Sequence, residues 1–374
     1  MKFQIANNQL NQLLHKLQNV VSAKSTIPIL SNFLIEAAND ELIITATDLT
    51  VGMRCFTEAK ILEEGATTLP AKKFSQLIRE LTTPQVEIST NPEQLTEIVA
   101  NASRFKLRGM GREEFPSLPD LAGAVQFKIK QQLLKDLLFR VAFAVSREDT
   151  RYVLTGVFFQ IANSTATFFG TDARVLAKTH TPIEIDPGVQ GTFIIPLKAI
   201  EEMLKTLKDE GEATIYLMQD KIAVEANQSI LITKLLSGEY PEFTRIIPSD
   251  TPIKLTLHRE ELMILLRQVS LFTTDVSQAV RFIFSAGELK LTANAMEIGE
   301  GKVSMPVNYS GAPLEIAFSP TAFLEVLRHC KEETFIMGLS DAYNPAIITD
   351  GNIESEQFLQ ASPLYVLMPM RLGD

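Results

Sequence analysis

Gly65-Ala-Thr-Thr-Leu-Pro-Ala-Lys-Lys-Phe-Ser-Gln-Leu-Ile-Arg-Glu-Leu81 decides the fold, because its pattern returns twice in the same chain. Gly191-Thr-Phe-Ile-Ile-Pro-Leu-Lys-Ala-Ile-Glu-Glu-Met-Leu-Lys-Thr-Leu207 is the second copy, and Leu314-Glu-Ile-Ala-Phe-Ser-Pro-Thr-Ala-Phe-Leu-Glu-Val-Leu-Arg-His-Cys330 a more diverged third. In each, a short apolar strand ends at a proline (Pro70, Pro196, Pro320) that opens an amphipathic helix, where its missing N–H costs nothing. The prolines lie about 125 residues apart, a spacing of domain size.

The repeat extends on both sides of this unit. The segments starting at Phe3, Phe127 and Leu255 each read as an alternating strand running into a helix of 3.6 period. The first of these helices is expected from Gln9 to Val21, with Leu10, Leu13, Leu14, Leu17 and Val21 on one face. Leu42 to Asp48, Ala166 to Asp172 and Leu289 to Ala295 add matching strands, and Phe115-Pro116 and Tyr240-Pro241 close the first two copies. The pattern predicts an α+β chain of three similar tandem domains, 1–122, 123–250 and 251–374, each with two helices packed on antiparallel sheets.

The 374 residues, 45% hydrophobic and 21% charged, have the make-up of a soluble globular protein. Met1-Lys2-Phe3-Gln4 leads straight into a strand without a signal peptide, and no apolar run approaches a membrane span. Two cysteines at unrelated places in the repeat, Cys55 and Cys330, suit a reducing cytosol, so a cytoplasmic location is expected. The net charge of −10 taken alone argues against a polyanionic partner. Its distribution argues otherwise: the six predicted helices with their flanks carry about +8, which leaves about −18 on strands and loops.

Several segments have a plain structural reading. Lys24 reads as a solvated loop lysine and Ser146-Arg-Glu-Asp-Thr-Arg-Tyr152 as an ordinary charged loop. Val153 to Ile161 reads as a strand, and Asp48 and Asp172 as turn-capping carboxylates. Along Ala102 to Gly109, Phe105 and Leu107 point one way and Arg104, Lys106 and Arg108 the other, in a strand that is either internal or a basic sheet edge. Leu271-Phe272 at a helix end reads as buried core, Ala295 to Glu300 as an acidic turn, and the methionines of the C-terminal segment as packing.

No catalytic constellation has specific spacing. His15, His180, His258 and His329 are scattered, and Cys-x-x-Cys, His-x-x-x-His and Asp-rich metal patterns are absent from the sequence, as are Walker, Rossmann and Gly-x-Ser-x-Gly motifs. A binding role is expected, with no catalysis, cofactor or metal.

Met1-Lys-Phe3, Ile27-Pro-Ile-Leu30, Thr47-Asp-Leu49, the opening stretch, Ser103-Arg-Phe105, Arg151-Tyr152, Thr171-Asp172 and Met368-Pro-Met-Arg-Leu372 together resemble the bacterial DNA polymerase III beta subunits, the replicative sliding clamps. The likeness runs the whole chain in order. It implies the DNA clamp fold and a head-to-tail dimer ring that encircles double-stranded DNA without sequence specificity. Such a processivity factor tethers the polymerase III catalytic subunit, is opened by a clamp loader, and binds other proteins through short motifs, with no membrane partner. Tethering raises effective concentration and requires no reaction of the clamp itself.

Carried over by resemblance, Lys24, Lys72, Arg147, Glu148, Asp149, Tyr152 and Lys198 approach DNA. The partner-peptide pocket comprises Arg151, Leu154, Thr171 and Leu176, then Pro241, Arg245 and Ile246, then Tyr343, and finally Val366, Met368, Pro369, Met370 and Arg371. Ala173-Arg174-Val175 stands in its rim where Gly-His-Arg is common in the family. The dimer contact joins Arg104, Phe105 and Leu107 of one chain to Leu271, Phe272, Glu297 and Glu300 of the other. A protein scaffold on the same fold, with the basic helices as solvated faces, is the alternative; an enzyme at a domain interface has no residues to support it.

Overall fold

A computed structural model describes residues 1–21, 26–274, 278–351 and 355–371. In repeat one, β1 (Lys2–Ala6) runs into α1 (Asn7–Leu17), followed by β2 (Asn32–Ala38), β3 (Glu41–Thr47), β4 (Val51–Glu58), β5 (Lys60–Glu63) and β6 (Gly65–Pro70). Then come α2 (Ala71–Glu80), β7 (Gln85–Thr90), β8 (Leu95–Ala100) and β9 (Ser103–Arg108). Repeat two has β10 (Val125–Lys130), α3 (Gln131–Ala142), β11 (Gly156–Ala162), β12 (Thr165–Thr171), β13 (Val175–Pro182), β14 (Gly191–Pro196), α4 (Leu197–Thr206), β15 (Glu212–Leu217), β16 (Lys221–Ala226) and β17 (Ser229–Lys234). Repeat three has β18 (Ile253–His258), α5 (Arg259–Ser270), β19 (Val280–Ser285), β20 (Glu288–Ala295), β21 (Gly299–Pro306), β22 (Leu314–Phe318), α6 (Pro320–His329), β23 (Thr334–Leu339), β24 (Ala346–Asp350) and β25 (Leu364–Leu367).

The sequence periods account for these elements, with shifts at their ends. Helix α1 buries Leu10, Leu13, Leu14 and Leu17 as expected but ends at Leu17, short of the predicted Val21. The poor helix formers Asn19, Val20 and Val21 follow, and a Val20 N–H to Leu17 O bond of 3.1 Å tightens the turn, so Val20 and not Val21 completes the buried face. Of the three prolines, Pro320 lies in the first helical turn, whereas Pro70 caps α2 and Pro196 ends β14 one residue before α4. The predicted strand from Val153 begins only at Gly156: Tyr152–Thr155 form a 3-10 turn, closed by Leu154 N–H on Arg151 O at 2.8 Å and Thr155 Oγ1 on Tyr152 O at 2.8 Å.

Among the described residues the strands form four antiparallel sheets: β5-β1-β7-β8-β9, β10-β15-β16-β17-β4-β3-β2-β6, β14-β11-β12-β13-β25-β24-β23-β18 and β21-β20-β19-β22. Helix α1 packs on α2 and α5 on α6. The chain divides into two compact units, residues 1–135 with 198–235 and residues 136–197 with 236–374, so repeat two is shared between them. Each unit contains one eight-stranded sheet that crosses a repeat boundary, at β4–β17 in the first and β13–β25 in the second. Among the described residues no helix is long and apolar enough to cross a membrane.

Candidate nucleic-acid and partner interfaces

The Thr-Asp turns anticipated from the repeat form twice with the same bonding. Asp48 Oδ1 accepts the N–H groups of Thr50 and Val51, and Asp172 Oδ1 those of Arg174 and Val175. The hydroxyls of Thr47 and Thr171 donate to the carbonyls of Val51 and Val175. Leu49 and Ala173 take positive φ, 76° and 71°, inside these turns. Each turn delivers its chain into a seam strand. Gly52 of β4 faces Ile232 of β17, and in the equivalent place Leu176 of β13 faces Val366 of β25.

Of the residues expected to approach DNA, Lys24 lies outside the described residues. Lys72 is exposed in the first turn of α2, and Arg147 and Glu148 are exposed on the loop before the 3-10 turn. Tyr152 is 60% exposed. Asp149 is turned back onto that loop, accepting Arg151 N–H at 2.8 Å and its guanidinium through Nε and Nη2 at 3.1 Å each. Those bonds hold the Asp149 carboxyl below its ordinary range and the Arg151 guanidinium above its own. Lys198 is engaged too: its Nζ lies 2.5 Å from Asp48 Oδ2 and 3.4 Å from Val20 O.

The residues expected to form the peptide pocket all belong to the second unit, and Leu176 and Val366 lie in its β13–β25 seam. Leu154, Thr171, Leu176 and Val366 are buried, and Leu176 and Val366 belong to one packed cluster with Phe169 and Phe243. Pro241 and Arg245 are exposed beside Phe243, with Arg245 paired to Glu242 at 3.0 Å. Ile246 and Met368 are each 39% exposed, and Tyr343, 88% exposed, stands on the β23–β24 turn, where Asp341 Oδ1 accepts its N–H at 2.7 Å. Beyond β25, Met368 N–H bonds Arg174 O and Met370 N–H bonds Ala317 O, which fixes the backbone on either side of half-buried Pro369; Arg371 is exposed. A buried apolar floor with exposed apolar side chains around it suits a short peptide with hydrophobic anchors.

The residues expected at the dimer contact lie on two sheet edges. Strand β9 ends its sheet with Phe105 and Leu107 half-buried and Arg104, Lys106 and Arg108 exposed. Strand β21 ends another, and Glu300 belongs to it, paired with Asn294, so the predicted acidic turn is shorter than expected and holds Met296, Glu297 and Ile298, all exposed. Leu271 is 72% exposed, contrary to its plain reading as core. Phe272 is half-buried with its ring over Gly301, where an added Cβ would lie 2.4 Å from ring Cδ2.

The family descriptions for the N-terminal, central and C-terminal domains of the DNA polymerase III beta subunit match residues 1–119, 128–242 and 244–371. The chain belongs to the DNA polymerase III beta subunit family. It is 52% identical over 374 residues to the beta sliding clamp of Chlamydia pneumoniae, with both chains covered in full. The crystal structure of the Bacillus subtilis polymerase sliding clamp covers it completely, and is itself fully covered, at a TM-score of 0.94 and 26% identity. The sliding clamp of Bartonella birtlesii, solved with griselimycin bound, does the same at 0.92 and 31%. The fold is therefore the α+β clamp fold and the chain a DNA sliding clamp, a non-catalytic partner of the polymerase.

Two features of this clamp escape its sequence. Phe158, Phe169, Tyr240 and Phe243 form an aromatic cluster packed with Leu176 and Val366, with centroids 4.7 to 6.0 Å apart, and burial raises the Tyr240 hydroxyl pKa. A buried ion network secures the second unit: Arg140 donates to Asp136 Oδ2 at 2.9 Å, Asp350 Oδ2 at 2.7 Å and His329 O at 3.2 Å. Burial alone would lower the Arg140 pKa, but the bond to Asp350 and neighbouring groups more than offset it and raise the guanidinium above its ordinary value. Among the described residues no cluster of His, Cys, Asp and Glu could hold a metal ion.

Proposed function

We propose that this clamp works as a head-to-tail homodimer ring around duplex DNA, with the basic helices toward phosphates and acidic strands and loops outside. The observation that carries this reading is the third seam left open by the repeat. In the chain, β4 meets β17 and β13 meets β25. Their counterparts β21 and β9 both lie at sheet edges, so the same pairing calls for a second copy.

The register follows from the equivalences. Ser103 and Ser229 both follow an Asn at φ 53° in matching turns, so Lys106 takes the place of Ile232; Glu300 pairs with Asn294 as Leu176 does with Thr171. Lys106 of one chain then faces Glu300 of the next. One residue along, where the other seams bury Met53 with Leu231 and Ala177 with Tyr365, Phe105 meets Gly301 beneath the Phe272 ring. Opposite charge on one face and apolar surface on the other suit a specific contact, with Arg104, Leu107, Leu271 and Glu297 completing it.

Within the ring, Lys24, Lys72, Arg147, Glu148, Asp149, Tyr152 and Lys198 are assigned to the approach of DNA, phosphate contacts and not base reading supplying the attraction. The pocket around Leu176 and Val366 takes linear motifs of the polymerase III catalytic subunit, the clamp loader and other partners. Domains 1–122, 123–250 and 251–374 are the units of the ring, and the cytoplasm is its place of work. Retention on nicked circular DNA, after loading by a clamp loader and at raised salt, is expected to exceed retention on the same DNA linearised. Equal loss from both forms, where an established clamp persists on circles, overturns topological binding, because electrostatic attraction alone weakens with salt on either form.

A further inference from the structure

A groove beside the first seam duplicates the position of the partner pocket beside the second. Its strand wall is Arg54 of β4 with Ile230 and Ile232 of β17; its other wall is the linker after β9, at Leu118, Pro119, Asp120 and Leu121; the space left is about 310 Å³. Ile232 stands where Val366 stands in the pocket, and Gly52 where Leu176 stands. Leu118 and Leu121 follow Phe115-Pro116 as Phe243 and Ile246 follow Tyr240-Pro241.

One exchange separates the two places. Leu176 carries a side chain into the pocket floor, and Phe243 is held there by the rings of Phe158, Phe169 and Tyr240. Gly52 has none, and the Leu118 side chain occupies its space, with Cδ2 2.4 Å from where a Cβ would stand. The linker is turned on itself by Ala122 N–H on Asp120 Oδ1 at 3.0 Å and Ala124 N–H on Leu121 O at 3.1 Å. Arg54 Nε at the groove wall is buried with no hydrogen-bond partner among the described residues.

We infer that this groove is a second copy of the partner-peptide groove, kept narrow by the chain's own linker: Leu118, the counterpart of Phe243, sinks into the place over Gly52, and with Leu121 it takes room that the apolar anchors of a bound peptide would need. A tethered occupant acts at high effective concentration and excludes free peptides of ordinary affinity, so each chain offers one partner site instead of two. The inference rests on the pocket assignment under Proposed function.

The probe is a labelled synthetic peptide of residues 115–123 of this chain, titrated onto the full-length protein. The wild type is expected to bind one peptide per chain and Leu118→Ala/Leu121→Ala two. Adding Ile246→Glu, on the exposed rim of the pocket in the second unit, should return that variant to one. A doubly substituted chain that binds no more peptide than wild type overturns the inference. Wild-type binding that survives Ile246→Glu refutes the pocket assignment instead. Alkylation of the thiol introduced by Ile232→Cys tests closure without any ligand, Cys55 and Cys330 being buried. The rate should rise at least tenfold when Leu118→Ala is added; an unchanged rate shows that the linker does not close the groove.

Discussion

The β4–β17 seam and the β13–β25 seam join consecutive repeats through equivalent strands, yet different chemistry secures them. At the first, Lys16 of α1 reaches Asn227 O and Ser229 Oγ, both at 3.3 Å. At the second, Arg140, in the same place on α3, is buried between Asp136, Asp350 and the His329 carbonyl, and Tyr365 Oη also donates to that carbonyl at 3.0 Å. The backbone ladder is the shared frame, and side chains decide how far each seam depends on charge. The third seam proposed above, between β21 and a second chain's β9, would share that frame with no covalent link to hold it. Ladder and side chains together would then have to supply the affinity, with the side chains setting its specificity.

The largest effect is expected at that third seam. Leu271→Ala with Phe272→Ala removes two large apolar groups from each contact, and burial of such a group contributes about 1.5–3 kcal/mol. In a ring closed by two such contacts, the proposed dimer should weaken by well over about a thousandfold while the chain stays folded. Sedimentation should show a monomer with unchanged circular dichroism; an intact dimer would remove the equivalence of the three seams.

Next in size is the difference between the covalently joined seams. Asp350, with 6% of its side chain exposed, accepts from Arg140 and from the N–H groups of Lys331 and Glu332. Asp350→Ala removes the shorter of the two carboxylate bonds of a buried guanidinium, which keeps Asp136 and the His329 carbonyl, and should cost about 1.5–3 kcal/mol. Lys16→Met at the first seam removes two long hydrogen bonds and should cost about 1 kcal/mol or less. Urea titration of both variants measures the contrast, and equal losses would show that the two seams depend on charge alike.

Sequence reading went far on the strands and helices because their periods are local. Leu10, Leu13, Leu14 and Leu17 announce α1 by spacing, and the repeated Thr-Asp turns announce their own hydrogen bonds. The exposed Leu271 was legible through resemblance alone, since two apolar residues at a helix end are as readily core as surface. What stayed hidden depends on partners far along the chain: Cys55 approaches Ser229 across 174 positions, and no local period links Gly52 to Leu118 or Arg140 to Asp350. The ion pair of Lys198, a residue assigned by resemblance to the approach of DNA, is equally hidden, because Asp48, 150 positions away, leaves no trace in the neighbouring sequence.

The smallest effect separates the seams by pH. His329 is buried against Phe143, with ring centroids 4.0 Å apart, and its Nδ1 lies 2.7 Å from Glu325 O. Burial lowers its pKa from the ordinary 6.5, with Arg140 and Arg328 acting in the same direction and Glu325 opposing them. The unfolded chain therefore takes up this proton first as pH falls through about 6.5, and stability drops until the folded pKa is reached; above that window the residue adds no pH dependence. His180, also in the second unit, is lowered by burial and by Lys178 and adds to the same slope. In the first unit, His15 is exposed and hydrogen-bonded to Gln18 at 3.0 Å. His329→Gln should lower the melting temperature at pH 8, through lost ring packing, yet reduce the further fall between pH 7 and pH 5. Thermal melts across that range decide it: an unchanged slope would remove His329 from the acid response and leave His180 to carry it.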